Sequence, residues 1–244
     1  MTPAQQAAHR AAGRTSRPPI RALPALLVNQ IAAGEVVERP ASVVKELIDN
    51  AIDAGATRIH VELEQGGVEL VRVTDDGCGV PLADARLMLA PHATSKIREA
   101  TDLDQIAPMG FRGDALASIC SLARLTIRSR SEEESSGWLI EAEGDRIGEP
   151  RPEGASRGTS VSVRNLFFNT PARRKFLRTA GTEQSNALDI VRDLAMAHPA
   201  IAFVATCDGR TVIDLPPDQT PRQRLLDILG RELASQVVEV NADE

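Results

Sequence analysis

Hydrophobic positions recur along the chain with two different periods, and these periods predict helices and strands in alternation. The clearest helical pattern starts near Pro40 and stops at Gly55, residue types that suit a first helical turn and the position just after a helix. Its apolar residues are spaced i, i+3, i+4, i+7 and form one buried stripe: Val44, Leu47, Ile48 and Ala51. Further helices are predicted over residues 29–37, 81–89, 115–119, 187–195 and 222–229.

Strict alternation of apolar and polar residues predicts the strands. Ile59, Val61 and Leu63 share one face of a strand over residues 58–63, and a Gln-Gly-Gly turn leads into a strand over residues 68–73, which indicates a hairpin. Other strands are predicted over residues 125–130, 138–143, 159–163, 201–207, 211–215 and 237–240. This order predicts an α/β fold, a two-layer sandwich in which helices cover one face of a mixed, mostly antiparallel sheet.

Two stretches lack a periodic pattern. Residues 1–20 contain no apolar run, which predicts a disordered tail rather than a signal peptide, with a misplaced start codon as the alternative. Residues 91–109 are polar and weakly periodic, so we expect a long mobile loop of the kind that serves as a lid. No segment approaches the roughly 18 apolar residues that cross a bilayer, so no membrane partner is expected.

Composition narrows the classes of function. The chain has 244 residues, of which 42% are hydrophobic, enough for one large domain and part of another. Aromatic residues make up 2%, which argues against nucleic-acid binding by stacking on aromatic platforms, since such binding needs exposed rings. The net charge of −6 means that any DNA contact comes from a local patch. Three widely spaced cysteines without a CxxC pair indicate neither a disulfide framework nor a zinc site, and favour a reducing, cytoplasmic compartment.

A carboxylate and an amide lie one turn apart on the polar side of the first long helix. At about 100° per residue, Glu46 and Asn50 are about 40° apart and lie opposite the apolar stripe. The carboxylate can polarise a water molecule, and the amide oxygen can ligate Mg²⁺, which prefers oxygen. For the pair taken alone, a solvated polar helix face is the better explanation.

Two loops have the residue types of a nucleotide site. Asp75-Asp76-Gly77-Cys78-Gly79 follows a strand, where an aspartate can accept a hydrogen bond from an exocyclic amine such as that of adenine. The two glycines permit positive φ and the approach of a flat ring, although an ordinary Asp/Gly turn fits equally well. Gly110-Phe111-Arg112-Gly113-Asp114 enters a helix, where backbone N–H groups suit phosphates; a simple helix cap is the alternative. Neither a Walker loop nor a dinucleotide-binding pattern is present.

In this order, the three segments resemble the N, G1 and G2 boxes of the GHKL superfamily, which includes the gyrase B subunit, histidine kinases and certain heat-shock chaperones. Within it, the chain is similar to the MutL family of DNA mismatch-repair proteins from about residue 21 to its end. Four segments carry this similarity: Gln30-Ile31-Ala32-Ala33-Gly34-Glu35-Val36-Val37-Glu38-Arg39-Pro40, His92-Ala93-Thr94-Ser95-Lys96, Gly110-Phe111-Arg112-Gly113 and Asn169-Thr170-Pro171-Ala172-Arg173-Arg174-Lys175-Phe176-Leu177.

The resemblance implies ATP and Mg²⁺ as cofactors and a role for each site residue. Glu46 corresponds to the general base that activates the attacking water, Asn50 to the Mg²⁺ ligand and Asp75 to the adenine-binding aspartate. The other implied nucleotide contacts are Gly77, Gly79, Thr94, Ser95, Lys96, Gly110, Phe111, Arg112, Gly113 and Thr159. Three positions depart from the commonest family pattern: Asp49, Asp76 and Asp114. Of these, Asp76 adds a negative charge near the nucleotide and is expected to weaken phosphate binding slightly.

The main basic cluster consists of Arg173, Arg174, Lys175 and Arg178. These side chains can contact DNA phosphates weakly and without sequence preference. A solvated helix end, or ion pairs with neighbouring carboxylates, explains the cluster equally well. His92 fits either a residue that orients the lid or a structural histidine.

We expect a GHKL ATPase domain over residues 21–221 and the start of a truncated second domain over residues 222–244. Because a lysine of that second domain contacts the γ-phosphate in the family, hydrolysis by this chain is expected to be impaired. The resemblance further implies that ATP orders the lid and residues 21–30, that two chains then pair as a homodimer, and that a MutS-type mismatch-recognition protein is a partner.

Three functions remain open at this point. The first is a slow ATPase that acts as a switch between mismatch recognition and downstream repair. The second is a nucleotide-binding module without turnover. The third is a phosphotransferase like the histidine kinases, which is the weakest because it requires an acceptor histidine domain.

Overall fold

The computed structural model of the chain describes residues 33–34, 37–91, 93 and 115–237. The α-helices with described bounds are α1 (Pro40–Asp53), α2 (Ala115–Leu122), α3 (Pro171–Phe176), α4 (Ala180–Ala197) and α5 (Pro221–Leu229). The strands are β1 (Arg58–Glu64), β2 (Leu70–Asp75), β3 (Arg124–Arg130), β4 (Gly137–Glu143), β5 (Arg146–Ile147), β6 (Arg151–Glu153), β7 (Gly158–Arg164), β8 (Ala202–Cys207) and β9 (Arg210–Leu215). Short 3-10 turns occupy Gln65–Gly67, Leu82–Asp84, Leu87–Leu89 and Arg231–Ser235.

The described strands form a single sheet in the order β5-β4-β3-β7-β2-β1-β8-β9, with β6 paired to β4. Every strand pair is antiparallel except β1 with β8, which confirms the predicted mixed, mostly antiparallel sheet. In the β1–β2 hairpin, Ile59 lies opposite Asp75 and Leu63 opposite Val71. Cross-strand partners share a face, so this register places Asp75 on the same face as the apolar residues of β1.

The hydrophobic core lies between that face of the sheet and the helices. α1 packs on β2, α4 packs on β8, and the two helices pack on each other. The predicted helical stripe is buried in this layer: Val44, Leu47, Ile48 and Ala51. The opposite face of the sheet is polar, as shown by Arg72, which bonds Glu62 at 2.6 Å and Ser162 at 2.9 Å across three strands. Because only one face is apolar, helices cover one face alone.

Some local predictions differ from the structure. β2 begins at Leu70 rather than at residue 68, because the chain first makes a 3-10 turn in which Gly66 has a φ of 68°. Residues 81–89 form two 3-10 turns instead of one helix, and only Ala85 and Leu89 are buried there, so little packing stabilises a longer helix. β5 and β6 were not predicted because elements of two and three residues are too short for a periodic pattern, and α3 was not predicted because none of its residues is buried, so it has no apolar stripe.

A buried arginine ties α5 to the rest of the molecule. Arg224 has no exposed surface, and its Nε donates to Oε1 of Gln219 at 2.6 Å. Its other nitrogens lie between 2.7 and 3.1 Å from four backbone carbonyl oxygens, those of Ala195, Pro199, Ile201 and Pro216. α5 is therefore fixed to the end of α4 and to the β8–β9 hairpin, while a domain boundary near residue 221 stays a prediction.

Several predictions concern residues outside the described ranges. These are the tail over residues 1–20, most of the helix over residues 29–37 and of the loop over residues 91–109, the glycine-rich segment over residues 110–114, and most of the strand over residues 237–240. None of the helices described is long and apolar enough to cross a bilayer.

Candidate functional site

Asp75 is the last residue of β2 and lies on the core-facing side of the sheet. Its Oδ1 accepts hydrogen bonds from the backbone N–H of Gly77 at 2.9 Å and of Thr159 at 3.3 Å. Within the described residues, no group donates a hydrogen bond to the other oxygen, Oδ2. Burial raises the pKa of Asp75 to about 6, although the two amide bonds act in the opposite direction. The result is a desolvated carboxyl group with one oxygen left to accept a hydrogen bond from a ligand.

The loop after Asp75 is held by side chains from neighbouring strands. Oγ of the buried Ser129 accepts from the N–H of Val80 at 2.9 Å, donates to the carbonyl of Gly158 at 2.9 Å and lies 3.0 Å from Oγ1 of Thr159. The indole N–H of Trp138 donates to the carbonyl of Val80 at 2.8 Å. Both polar backbone groups of Val80 are therefore bonded, which fixes the path of the loop beside Asp75.

The glycines of the site are required mainly by the protein's own backbone. Gly79 has a φ of 70°, and a Cβ there would overlap the carbonyl of Arg130. Gly158 has a φ of 108°, and a Cβ there would overlap the carbonyl of Asp75. The positive φ permitted at both loop glycines is thus found at Gly79 but not at Gly77, where Ala54 would lie 2.8 Å from an added Cβ.

Asp76 binds the start of β1. Its Oδ1 accepts from the N–H of Thr57 at 2.7 Å and of Arg58 at 2.9 Å, and its Oδ2 accepts from the hydroxyl of Thr57 at 2.6 Å. Burial acts to raise the pKa of Asp76, but these hydrogen bonds outweigh it and lower the pKa. The three donors therefore keep the carboxylate ionised and direct it toward the start of β1, while the expected weakening of phosphate binding stays a prediction.

The C-terminus of α1 is attached to the same loop. The carbonyl of Asn50 accepts from the N–H of Ala54 at 3.0 Å, and the carbonyl of Ala54 accepts from the N–H of Cys78 at 2.9 Å. Asn50 thus lies one helical turn from the loop that follows Asp75, and Glu46 lies one turn further away; both side chains are half-buried. Asp49, a departure from the family pattern, pairs with Lys45 at 2.6 Å within the helix.

The structure brings some of the predicted site residues together and not others. Asp75, Gly77, Gly79 and Thr159 are in direct contact or in one short loop, and Asn50 is linked to that loop through Ala54. The lid residues lie outside the described ranges: His92, Thr94, Ser95, Lys96, Gly110, Phe111, Arg112 and Gly113. Thr159 lies at the start of β7, whereas the basic cluster follows the other end of this strand. The cluster therefore forms a surface separate from the site around Asp75.

That surface is formed by α3 and the residue pair after it. The guanidinium of Arg173 occupies the space beside Gly34, and Arg174 pairs with Glu69 at 2.9 Å. Lys175 and Arg178 are exposed, and neither makes an ion pair with the residues described. Among the described residues, only Arg174 of this cluster has a carboxylate partner, so the ion-pair explanation applies to Arg174.

Sequence reasoning missed the residues that support the site from the neighbouring strands. Ser129 occupies an inward-facing position of β3 after Leu125 and Ile127, and a polar residue in such an apolar register is the signal that could have found it. Arg157, whose Nε donates to the carbonyl of Gly77 at 3.2 Å, gives no such signal, because exposed arginines are common.

The sequence has well-defined relatives. Residues 38–145 match the family of histidine kinase-, DNA gyrase B- and HSP90-like ATPases. The DNA mismatch repair protein MutL of Azotobacter vinelandii is 50% identical over 228 residues, which are 92% of this chain and 36% of that protein. The MutL protein of Neisseria meningitidis serogroup A is 48% identical over 225 residues, again 92% of this chain and 34% of that protein. The chain thus spans little more than a third of the length of these relatives.

Solved structures have the same fold. The Aquifex aeolicus MutL ATPase domain complexed with ADP superposes with a TM-score of 0.63 at 33% identity, covering 79% of this chain and 69% of that chain. The N-terminal domain of a DNA repair protein superposes with a TM-score of 0.70 at 26% identity, covering 83% of this chain and 60% of that chain. The described sheet and helices are therefore similar to those of nucleotide-binding ATPase domains.

Proposed function

The chain belongs to the MutL family, of which it contains the ATPase domain, and from this premise we propose that it binds ATP at Asp75 and hydrolyses it slowly. The observation that carries this proposal is the partly buried carboxyl of Asp75, whose Oδ2 accepts no hydrogen bond from the residues described. An exocyclic amine can donate a hydrogen bond to such an acceptor, and adenine has one.

The residues around Asp75 fit an adenine nucleotide. Thr159 is half-buried beside the carboxyl, and the loop containing Gly77 and Gly79 has a fixed path, so the base is bound by a preorganised edge. Asn50 offers a hard amide oxygen one turn from this loop, which suits a Mg²⁺ ion that takes its remaining ligands from phosphates and water. When bound, the Mg²⁺-nucleotide supplies the phosphoanhydride bond that is broken.

Glu46 is proposed as the general base. Its carboxylate lies on the same helical face as Asn50, one turn away, and takes the proton of the attacking water. The neighbouring Lys45 donates to Oδ2 of Asp49 at 2.6 Å, and this hydrogen bond together with the charges of Asp49 and Glu46 raises the pKa of Lys45.

The lid is proposed to be the switch. Thr94, Ser95, Lys96 and the segment from Gly110 to Gly113, with Phe111 and Arg112, are proposed to contact the phosphates and to become ordered when ATP binds. The ordered lid is proposed to favour a homodimer of the full-length protein, which would link recognition of a mismatch by a MutS-type partner to downstream repair. Release of phosphate and then ADP would reverse these steps.

Substitution of Glu46 tests the proposed chemistry. In Glu46→Ala, we expect ATP hydrolysis to fall about 10²- to 10⁴-fold while ATP affinity stays within about twofold. The matched variant Asp75→Ala should lose nucleotide binding instead. Unchanged turnover in Glu46→Ala would refute the assignment of the base, and radiolabelled phosphate on the protein would favour the phosphotransferase. Tight ATP binding with no phosphate release from the wild-type chain would favour a binding module without turnover.

We further propose that the basic cluster contacts DNA phosphates. Lys175 and Arg178 are the members without a carboxylate partner among the described residues, so their charge is available to an anion. Binding should weaken as salt rises, and replacing Lys175 and Arg178 by Glu should weaken duplex and single-stranded DNA together without altering ATP affinity. Equal DNA affinity of this double variant and the wild type would refute the proposal.

A further inference from the structure

Phe176 is an aromatic ring exposed on the basic surface. It is 87% exposed, whereas the other exposed large hydrophobic side chains of the described residues reach at most 57%. A ring this accessible at the end of a helix keeps most of its hydrating water, so it gains from contact with any flat apolar partner.

The backbone around Phe176 is held in place by the contacts of its neighbours. Leu177, the next residue, packs against the hydrophobic core. The N–H of Arg178 donates to Oε1 of the buried Glu183 at 2.9 Å, and Arg174 pairs with Glu69 at 2.9 Å. Contacts on both sides of Phe176 therefore hold the backbone that presents the ring, which lowers the entropic cost of binding to it.

The charges beside the ring identify the chemistry of the partner. Lys175 and Arg178 flank Phe176 in the sequence and are exposed, while the chain as a whole carries a net charge of −6. A local basic patch with one exposed ring fits a partner that combines regular negative charges with flat faces, and a nucleic-acid strand has both. An apolar protein groove would bury the ring but leave the cations unpaired.

We propose that Phe176 stacks on a base of single-stranded DNA while Lys175 and Arg178 contact the adjoining phosphates. This inference rests on the DNA contact proposed above and adds its preference for single strands. The faces of duplex bases are already stacked on one another, so a lone ring gains nothing from an intact duplex. The low aromatic content of the sequence argues against stacking, but Phe176 is exposed, and one exposed ring suffices for one base.

Two variants of Phe176 and one matched control test the inference. A fluorescently labelled oligothymidylate and a duplex of equal length are titrated with the whole chain. Phe176→Ala should bind the single strand about fivefold or more weakly, which is the lower end for loss of one stacked base, with an unchanged salt slope and unchanged duplex affinity. Phe176→Trp should retain single-strand binding, and its added fluorescence should be quenched by the oligonucleotide.

Leu229→Trp is the control for that quenching. Leu229 lies at the end of α5 and is 52% exposed, away from the basic cluster, so a tryptophan there should not respond to the oligonucleotide. The native Trp138 is 1% exposed and contributes a constant background. Equal quenching at both positions would overturn the inference, since it would show non-specific contact.

The outcomes separate this inference from the proposed DNA contact. If Phe176→Ala binds both DNA forms like the wild type, while exchange of Lys175 and Arg178 for Glu weakens both, the stacking is refuted and the phosphate contact stands. If no variant changes DNA affinity, both proposals fail. A concentration-dependent dimer of the wild type that disappears in Phe176→Ala, without a change in single-strand affinity, would assign the ring to a second copy of the chain and refute the stacking.

Discussion

The raised pKa of Asp75 makes nucleotide affinity sensitive to pH in a range where most carboxylates are fully ionised. The carboxyl has a pKa of about 6 because it is buried, and its ionised form is the better acceptor for the adenine amine. The affinity for the nucleotide should therefore reach its maximum above neutral pH and should fall as the pH decreases through 6. Between about pH 7.5 and about pH 5.5 the ionised fraction falls from about 97% to about 24%, an affinity loss of about fourfold. A carboxyl at its ordinary value would lose about 2%.

The assay is a calorimetric titration of a non-hydrolysable ATP analogue, with magnesium, at several pH values. The analogue's terminal phosphate also titrates in this range, so a variant without the Asp75 titration is required as a control. Asp75→Asn is the matched choice, because nothing at residue 75 then ionises. Its single amide oxygen replaces two acceptors, so its affinity should be lower at every pH, but that affinity should not depend on a titration at residue 75. The ratio of wild-type to variant affinity isolates the contribution of the carboxyl.

That ratio should fall about fourfold over the stated range, with a midpoint near pH 6. A ratio that stays constant would show that Asp75 ionises at its ordinary pKa or does not contact the base. A ratio that rises as the pH falls would show that the protonated carboxyl is the preferred form, which would reverse the proposed donor and acceptor.

Three further predictions follow from the packing. Gly158→Ala should abolish nucleotide binding and lower the temperature of thermal unfolding, because an added Cβ would overlap the carbonyl of Asp75. The control variant Gly154→Ala has open space around the added Cβ and should change neither nucleotide binding nor thermal unfolding. Arg224→Met should lower the free energy of unfolding in urea by about 3 kcal/mol or more, because it leaves several buried carbonyl groups without a donor, and an unchanged unfolding midpoint would contradict this. Hydrogen exchange across residues 91–113 should slow when a saturating analogue and magnesium are added, and equal exchange with and without them would exclude the lid switch even if ATP binds.

Local patterns of the sequence determined most of the elements and the chemistry of the segments that carry function. The stripe containing Val44 and Leu47 predicts α1, and the alternation around Val61 predicts β1, because a single buried face imposes its period on the residues that form it. Glu46, Asn50 and Asp75 could be proposed as site residues because they lie in short contiguous segments that resemble the boxes of a known family.

Only the tertiary structure decided which atoms meet across distant parts of the chain. The N–H of Thr159 donates to Asp75, which is 84 positions away in the sequence. The hydroxyl of Ser129 in β3 contacts Gly158 and Thr159 in β7, and no local sequence pattern predicts these partners. The exposure of Phe176 and the burial of Arg224 could not be predicted either. Each depends on which distant segments pack against the helix that carries it, and no periodic pattern in the helix itself indicates that. Local periodicity records whether a residue faces the core, while the pairing of polar groups depends on strand order and register, which are properties of the folded sheet.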